Sequence, residues 1–383
     1  MARGFLMPKK IVSGEGALEE AAASIAACGT KALIVTDAVM EKLGNLKLVT
    51  SCLDACGTAY VVYDAFNSEP TDRMVYEGIR IFENEQCDFL IALGGGSPID
   101  TMKAISMMRG HDSPISDYMG KPYSGEVCPM VAIPTTAGTG SETTQFTIIT
   151  DTSAYVKMLL SGEALIPSLS VIDPVFTLSA PKSVTASTGV DALCHAIESY
   201  TSRKAQPLSE MFSLSATKLI FENLPKCFDE PGNVEARSTM SLAAMQAGIA
   251  FNNSSVTIIH GMSRPIGALF HVPHGLSNAM LIESCLGFAA EGAPGRFADI
   301  ARYCGISAVE DDSAVAKALM GQIHDLLKHL QIPTLEQFGV SRDDYYASLD
   351  KMADDALASG SPQNTLRVPS KNEIISLYKS IYR

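Results

Sequence analysis

The sequence predicts two domains of different class: an α/β domain built on a parallel sheet, followed by an all-helical domain. Three observations predict this. The chain has 383 residues, enough for two or three domains at about 150 residues each. Short apolar runs alternate with helix-like stretches as far as Asp173. Beyond Lys182 only helical periodicity continues.

Taken in order, Lys31–Thr36, Tyr60–Tyr63, Asp88–Leu93 and Met130–Ile133 are apolar runs too short for helices. Each ends in Gly, Asp, Asn or Pro-Thr punctuation, the pattern of buried strands. Helical character fills Ala38–Cys56, Asp72–Glu83 and Pro98–Arg109 between them. Spacings of roughly 15–30 residues suit βαβ crossovers and hence a parallel sheet covered by helices. From Phe146 to Leu159, two β-like runs flank Asp151-Thr-Ser-Ala as a hairpin, and Ser168–Asp173 closes the domain. In the second half, Val315, Leu319, Ile323, Leu326, Leu327 and Leu330 recur at helical steps and mark one apolar face. Met211–Leu224, Arg237–Ala250, Phe297–Cys304, Asp344–Ala358 and Asn372–Tyr382 read likewise. The boundary is expected near 181–185, giving domains 1–182 and 183–383.

Composition narrows the function. Hydrophobic residues make up 46% and charged residues 19%, which excludes a disordered chain. A net charge of −13 repels phosphate backbones, so no nucleic-acid partner is expected. No apolar run reaches the roughly 18 residues of a membrane span, and the N-terminus does not read as a secretory signal. Nine cysteines without paired spacing read as reduced thiols, so a cytoplasmic protein is expected.

Two segments look built for phosphate. Leu93-Gly-Gly-Gly-Ser-Pro-Ile-Asp100 runs from a strand into a helix. Its glycines allow close backbone approach, and a helix start at Ser97-Pro98 presents free N–H groups to an anion. A plain tight turn is the alternative reading. Ile133-Pro-Thr-Thr-Ala-Gly-Thr-Gly-Ser-Glu142 also follows a strand and crowds hydroxyls and glycines together. Two such segments in one α/β domain point to a dinucleotide. Asp37, ending the strand Lys31–Thr36, suits a ribose 2′-hydroxyl and repels a 2′-phosphate, favouring NAD over NADP. It suits a helix N-cap equally well. The acid-ended strand precedes the glycine turn, the reverse of the usual Rossmann order, so a relative of that fold is expected.

There are only seven histidines, and four of them fall in two short segments. Asp191 and His195, at i and i+4 in Gly189-Val-Asp-Ala-Leu-Cys-His-Ala-Ile-Glu-Ser199, share one helix face. Three more, His260, His271 and His274, fall within Ile259–Gly275 among apolar residues and glycines. Imidazoles with one carboxylate suit a borderline divalent ion such as Fe(II) or Zn(II).

Together these segments resemble the iron-dependent (group III) alcohol dehydrogenases. The shared pattern is a strand ending in Asp, a GGGSxxD turn, a PTTAGTGSE loop, a GxDAxxHAIE helix and an HxMxxPxGxxxxxPHG stretch. The resemblance runs from the N-terminus through at least Asn278. It implies a Rossmann-like N-terminal domain and a helical C-terminal domain, the architecture shared with dehydroquinate synthase, with the active site in the cleft between them. It places metal ligands on Asp191, His195, His260 and His274. It places NAD(H) on Asp37, Gly95, Gly96, Ser97, Asp100, Thr135, Thr136 and Thr139, with Lys157 and Leu178 contributing. It further implies hydride exchange with a small aldehyde or alcohol, and a homodimer or larger homo-oligomer.

One departure stands out. Where the family commonly reads HxMAHP, this chain reads His260-Gly-Met-Ser-Arg-Pro265, so a histidine has become Arg264. Arginine cannot relay a proton near neutral pH, but its planar fork suits an oxyanion. Arg264, Ser263 and Phe251 are expected at the substrate, and His271 is a candidate proton relay or substrate contact, with packing as its alternative. The leading expectation is therefore a reductase of a short anionic aldehyde, sulfoacetaldehyde first, then phosphonoacetaldehyde or a semialdehyde. The alternatives are a dehydrogenase of neutral short alcohols or diols, a dehydroquinate-synthase-like lyase, and a non-catalytic metalloprotein.

Overall fold

A computed structural model describes residues 2–66, 69–154 and 156–382. The chain divides into two compact units, Leu6–Ala180, and Pro181 to the C-terminus joined by the residues before Leu6.

The first unit contains β1 (Lys10–Ser13), α1 (Ala17–Ala26), β2 (Lys31–Asp37), α2 (Ala38–Lys42), α3 (Asn45–Ala55) and β3 (Ala59–Phe66). It continues with α4 (Asp72–Asn84), β4 (Phe89–Gly94), α5 (Gly96–Met108), β5 (Met130–Pro134), β6 (Phe146–Asp151), β7 (Val156–Ser161) and β8 (Leu169–Ile172). Six strands form a sheet in the order β1-β8-β5-β4-β2-β3, with every pairing parallel. β6 and β7 form the antiparallel hairpin. Alternation along the strands sorts the core into two faces. Leu33, Val35, Leu90 and Ala92 pack with Val75 and Phe82 of α4 and Met102 and Ile105 of α5. Ala32, Ile34, Ile91 and Leu93 pack with Leu18 and Ile25 of α1 and Val49 and Leu53 of α3. Each such large side chain contributes about 1.5–3 kcal/mol on burial.

Two local expectations change. Ala38–Cys56 is not one helix: it breaks after α2, because Gly44 adopts a left-handed φ of 81° and α3 restarts beside it. α5 begins at Gly96, ahead of Pro98, which fits the first turn because its missing N–H has no helical partner there.

The second unit holds α6 (Lys182–Thr201), α7 (Pro207–Asp229), α8 (Val234–Asn252), α9 (Ile258–Phe270), α10 (His274–Gly292) and α11 (Pro294–Tyr303). α12 (Asp312–His329), α13 (Leu335–Phe338), α14 (Arg342–Ala347), α15 (Leu349–Ala358) and α16 (Lys371–Ile381) complete it. The stretch Asp344–Ala358 is two helices meeting at Ser348. α10 packs on both α6 and α9, and this three-helix contact gathers the histidines. A side chain at Gly275 would bring its Cβ to 2.8 Å from the Ser187 carbonyl oxygen, so glycine lets α10 approach α6 closely. Among the described residues no helix is long and apolar enough to cross a membrane.

Candidate functional site

In the first unit the three nucleotide clues fall at the carboxyl ends of neighbouring strands, Asp37 on β2, Gly94 on β4 and Pro134 on β5. Gly94 pairs with Pro134, and the Thr135 N–H donates to the Gly94 carbonyl at 3.0 Å. The strand order reverses between β2 and β4, where open α/β sheets bind ligands. Gly95 caps α5 in extended conformation with no side-chain cap, leaving first-turn N–H groups for an anion. A Cβ on Gly96 would lie 3.3 Å from Thr139 Cγ2, and one on Gly95 3.5 Å from Thr136 Oγ1. The threonine loop therefore lies directly against the glycine turn. Thr136 Oγ1 is buried with no partner among the described residues. Free amides, a free hydroxyl and a cradle that side chains would crowd fit a pyrophosphate, held by Gly95, Gly96, Ser97 and Thr136.

The other residues assigned to the coenzyme divide. Thr135 is buried beneath the loop. Asp37 is an N-cap: its Oδ1 accepts from Val39 and Met40 N–H at 2.8 and 3.2 Å. Its Oδ2 has no hydrogen bond among the described residues, so the capping and ribose roles are compatible. Asp100 is engaged within its own unit. Its Oδ1 accepts from Ser141 Oγ at 2.5 Å and its Oδ2 from Ile148 N–H at 2.9 Å, so the carboxylate ties the loop and β6 to α5. Beside it Lys103 is fully buried and donates to Thr144 O and Phe146 O, each at 2.8 Å. Burial lowers the Lys103 pKa to about 8 and raises that of Glu142 to about 7. Lys157, on β7, pairs with Glu69 at 2.7 Å, and Leu178 follows the turn Pro174–Thr177 after β8.

In the second unit, α6 places Asp191, His195 and Glu198 on one face by their i, i+4, i+7 spacing. α9 brings His260, and α10 begins with His274. Ligand atoms of Asp191, His195 and His260 all lie within 4.8 Å of one another. Asp191 Oδ1 is 3.6 Å from His260 Nε2 and 3.9 Å from His274 Nε2. Glu198 is completely buried and binds His260 Nδ1. It also accepts from Thr257 Oγ1 at 2.7 Å and from Ile259 N–H at 2.8 Å. With Nδ1 engaged by Glu198, Nε2 of His260 is the ring atom turned toward Asp191.

The charges follow from this arrangement. Burial pushes the Asp191 carboxyl up, but His195, His274 and His260 outweigh it and hold it below the usual carboxylate range. Burial lowers His195 to about 4. Burial also acts to lower His260, yet Glu198 and Asp191 prevail and raise it to about 9. His195 Nδ1 is buried with no partner among the described residues. A buried carboxylate, converging imidazoles and an unused ring nitrogen fit a divalent ion.

Sequence reasoning missed Glu198 and Asn278. The spacing on α6 offered a signal for Glu198, and the i+4 step from His274 offered one for Asn278. Ser263 is corrected: it is buried, and its hydroxyl bonds to Ser277, stapling α9 to α10. The Phe251 ring stacks on His195 with centroids 4.2 Å apart. His271 is exposed, ends α9 in a left-handed conformation, and bonds to none of the cluster. Arg264 sits one turn after His260, half-buried, with no hydrogen bond or ion pair among the described residues. Burial lowers its pKa, and the charge acting on it is that of Glu198. Glu283 of α10 engages His324 at 3.2 Å.

A dinucleotide cradle in one unit and a carboxylate–imidazole cluster in the other define a metal-dependent dehydrogenase. The chain matches the family models for iron-containing alcohol dehydrogenase over residues 8–174 and for the C-terminal region of that family over residues 185–382. It is 34% identical over 381 residues to the NAD-dependent methanol dehydrogenase of Bacillus methanolicus, covering 98% of this chain and 99% of that protein. The solved structure of a 1,3-propanediol oxidoreductase superposes with a TM-score of 0.96 at 31% identity, each chain covered 100%. Sulfoacetaldehyde reductase from Bifidobacterium kashiwanohense, solved with NAD+, gives a TM-score of 0.89 at 28% identity, covering 100% of this chain and 99% of that one. The chain belongs to the iron-containing alcohol dehydrogenase family and is an oxidoreductase. That membership sets aside the lyase and the non-catalytic readings.

Proposed function

We propose that the enzyme uses NADH to reduce a short anionic aldehyde, with sulfoacetaldehyde, which would yield isethionate, as the first candidate. One observation carries this reading: Arg264 is half-buried one turn from His260 and has no protein partner among the described residues. A guanidinium drawn out of water with no hydrogen-bonded counter-ion is costly unless a ligand pairs with it. A sulfonate, phosphonate or carboxylate would supply charge-assisted hydrogen bonds in that fork geometry. Asp191, His195, His260 and His274 would hold one Fe(II) or Zn(II), and the glycine turn and threonine loop would hold the coenzyme. When bound, the ion supplies Lewis-acid polarisation and the nicotinamide supplies the hydride. Phe251, stacked on His195, fixes the plane of that ring. The proposal includes a homodimer or larger homo-oligomer in the cytoplasm; the nine cysteines, all free thiols, support the compartment.

A second reading is dehydrogenation of a neutral short alcohol or diol, favoured by the methanol dehydrogenase and the 1,3-propanediol oxidoreductase named above. An NADH-oxidation screen of short aldehydes separates the two. The anionic reading expects the highest kcat/KM on a sulfonate, phosphonate or carboxylate substrate. Arg264→Ala should then cost ~30- to several-thousand-fold on that substrate while sparing propanal. Equal losses on both substrates, or a wild type that prefers neutral aldehydes, would retire it.

A further inference from the structure

We propose that Asn278 is an internal competitor for the metal centre, its side-chain amide occupying the lone pairs that a cation would take. Asn278 is completely buried on α10, one turn after His274. Its Nδ2 lies 2.6 Å from Asp191 Oδ1, 3.1 Å from His260 Nε2 and 3.2 Å from His274 Nε2. One nitrogen thus addresses three of the four residues that would ligate the ion. An amide nitrogen carries two hydrogens and no available lone pair, so it donates to Asp191 Oδ1 and can serve one neutral ring nitrogen besides, but cannot ligate a metal. A carboxylate oxygen and neutral imidazole nitrogens brought together repel one another unless a positive group lies among them. A divalent ion and the –NH2 group are alternative answers to that requirement, and the same lone pair cannot serve both.

The other end of the amide supports this reading. Asn278 Oδ1 is buried without a hydrogen-bond partner among the described residues. The orientation is therefore held from the nitrogen side alone, at the cost of an unsatisfied oxygen. A residue whose task was only to orient Asp191 would need one contact, would keep it in the loaded protein, and would strengthen metal binding. An internal competitor does the opposite: it stabilises the unloaded protein and weakens metal binding.

The proposal rests on the metal reading above, and the test keeps the two separable. Wild type and Asn278→Leu are stripped with a chelator. Zn2+ and, anaerobically, Fe2+ are then titrated against a chromophoric chelator, and Tm is measured stripped and loaded. The expected result is a Kd about tenfold tighter in Asn278→Leu, with the stripped Tm lowered more than the loaded Tm. Asn278→Ala serves as a second variant should leucine prevent folding. An unchanged or weaker Kd, with both Tm values falling together, overturns the proposal and leaves Asn278 as an orienting residue. Failure of wild type to bind either ion would instead strike the metal reading itself.

Discussion

Each unit buries a cluster of ionisable groups, and the two clusters are finished differently. In the first, the Lys103 ammonium meets Thr144 O, Phe146 O, Thr144 Oγ1 and Ser141 Oγ at 2.8–3.3 Å. Asp100 accepts from Ser141 and Ile148. Every donor has an acceptor, so the cluster is closed and its product is a loop fixed against α5. In the second, Asp191 Oδ1 and the Nε2 atoms of His260 and His274 converge on a single amide nitrogen, and His195 Nδ1 and Asn278 Oδ1 are left over. Buried polar groups are normally satisfied, and a residue of unmet acceptors marks a place for a ligand. A closed cluster shapes the chain; an open one binds something.

The largest effect should come from the open cluster. His195→Ala or His260→Ala should lose bound metal and at least about 10³-fold in turnover, since Lewis-acid stabilisation supplies several kcal/mol. Chelation of the wild type should do the same. Elemental analysis beside steady-state assays checks both, and full activity in a metal-free preparation would break the comparison.

The closed cluster should answer to pH through stability. Glu142 titrates near 7 in the folded protein, raised by burial above its usual 4.5. The folded state then holds the proton more tightly, so this group's contribution is complete below about pH 4.5 and lost as pH rises through 7. The loss amounts to as much as about 3 kcal/mol. In Glu142→Gln that decline should vanish, and the Tm difference from wild type should grow between pH 4.5 and 7.5. Parallel Tm curves would show that Glu142 is not held neutral by its surroundings.

Asp37 should show the smallest effect and sharpen the coenzyme assignment. Asp37→Asn keeps an acceptor for Val39 and Met40, so Tm should move by less than about 1 kcal/mol equivalent. The charge facing a 2′-phosphate disappears, so the kcat/KM preference for NADH over NADPH should narrow several-fold. Asp37→Gly should narrow it as well. Unchanged preference in both variants would leave Asp37 as a helix cap alone.

Much of this molecule was legible in one dimension, because its signals are local. Apolar runs bounded by turn residues located β2, β4 and β5, and the glycine and threonine segments after them followed from where such strands end. The i, i+4 pair Asp191 and His195 needed only helix geometry. What one dimension could not show depended on which neighbour a side chain meets. Asp100 and Ser263 read as ligand contacts by position, but packing turned Asp100 toward Ser141 and Ile148, and Ser263 toward Ser277. Glu198 and Asn278 acquired their partners across 62 and 87 positions, distances over which no periodicity speaks. The break at Gly44 turned on a single positive φ. Sequence determined most of the elements, the cradle and the metal-binding residue types, since backbone propensity and burial pattern act over a few residues. Tertiary structure alone decided which polar groups are satisfied and which are left open, since a hydrogen bond is settled by the last half-ångström of packing.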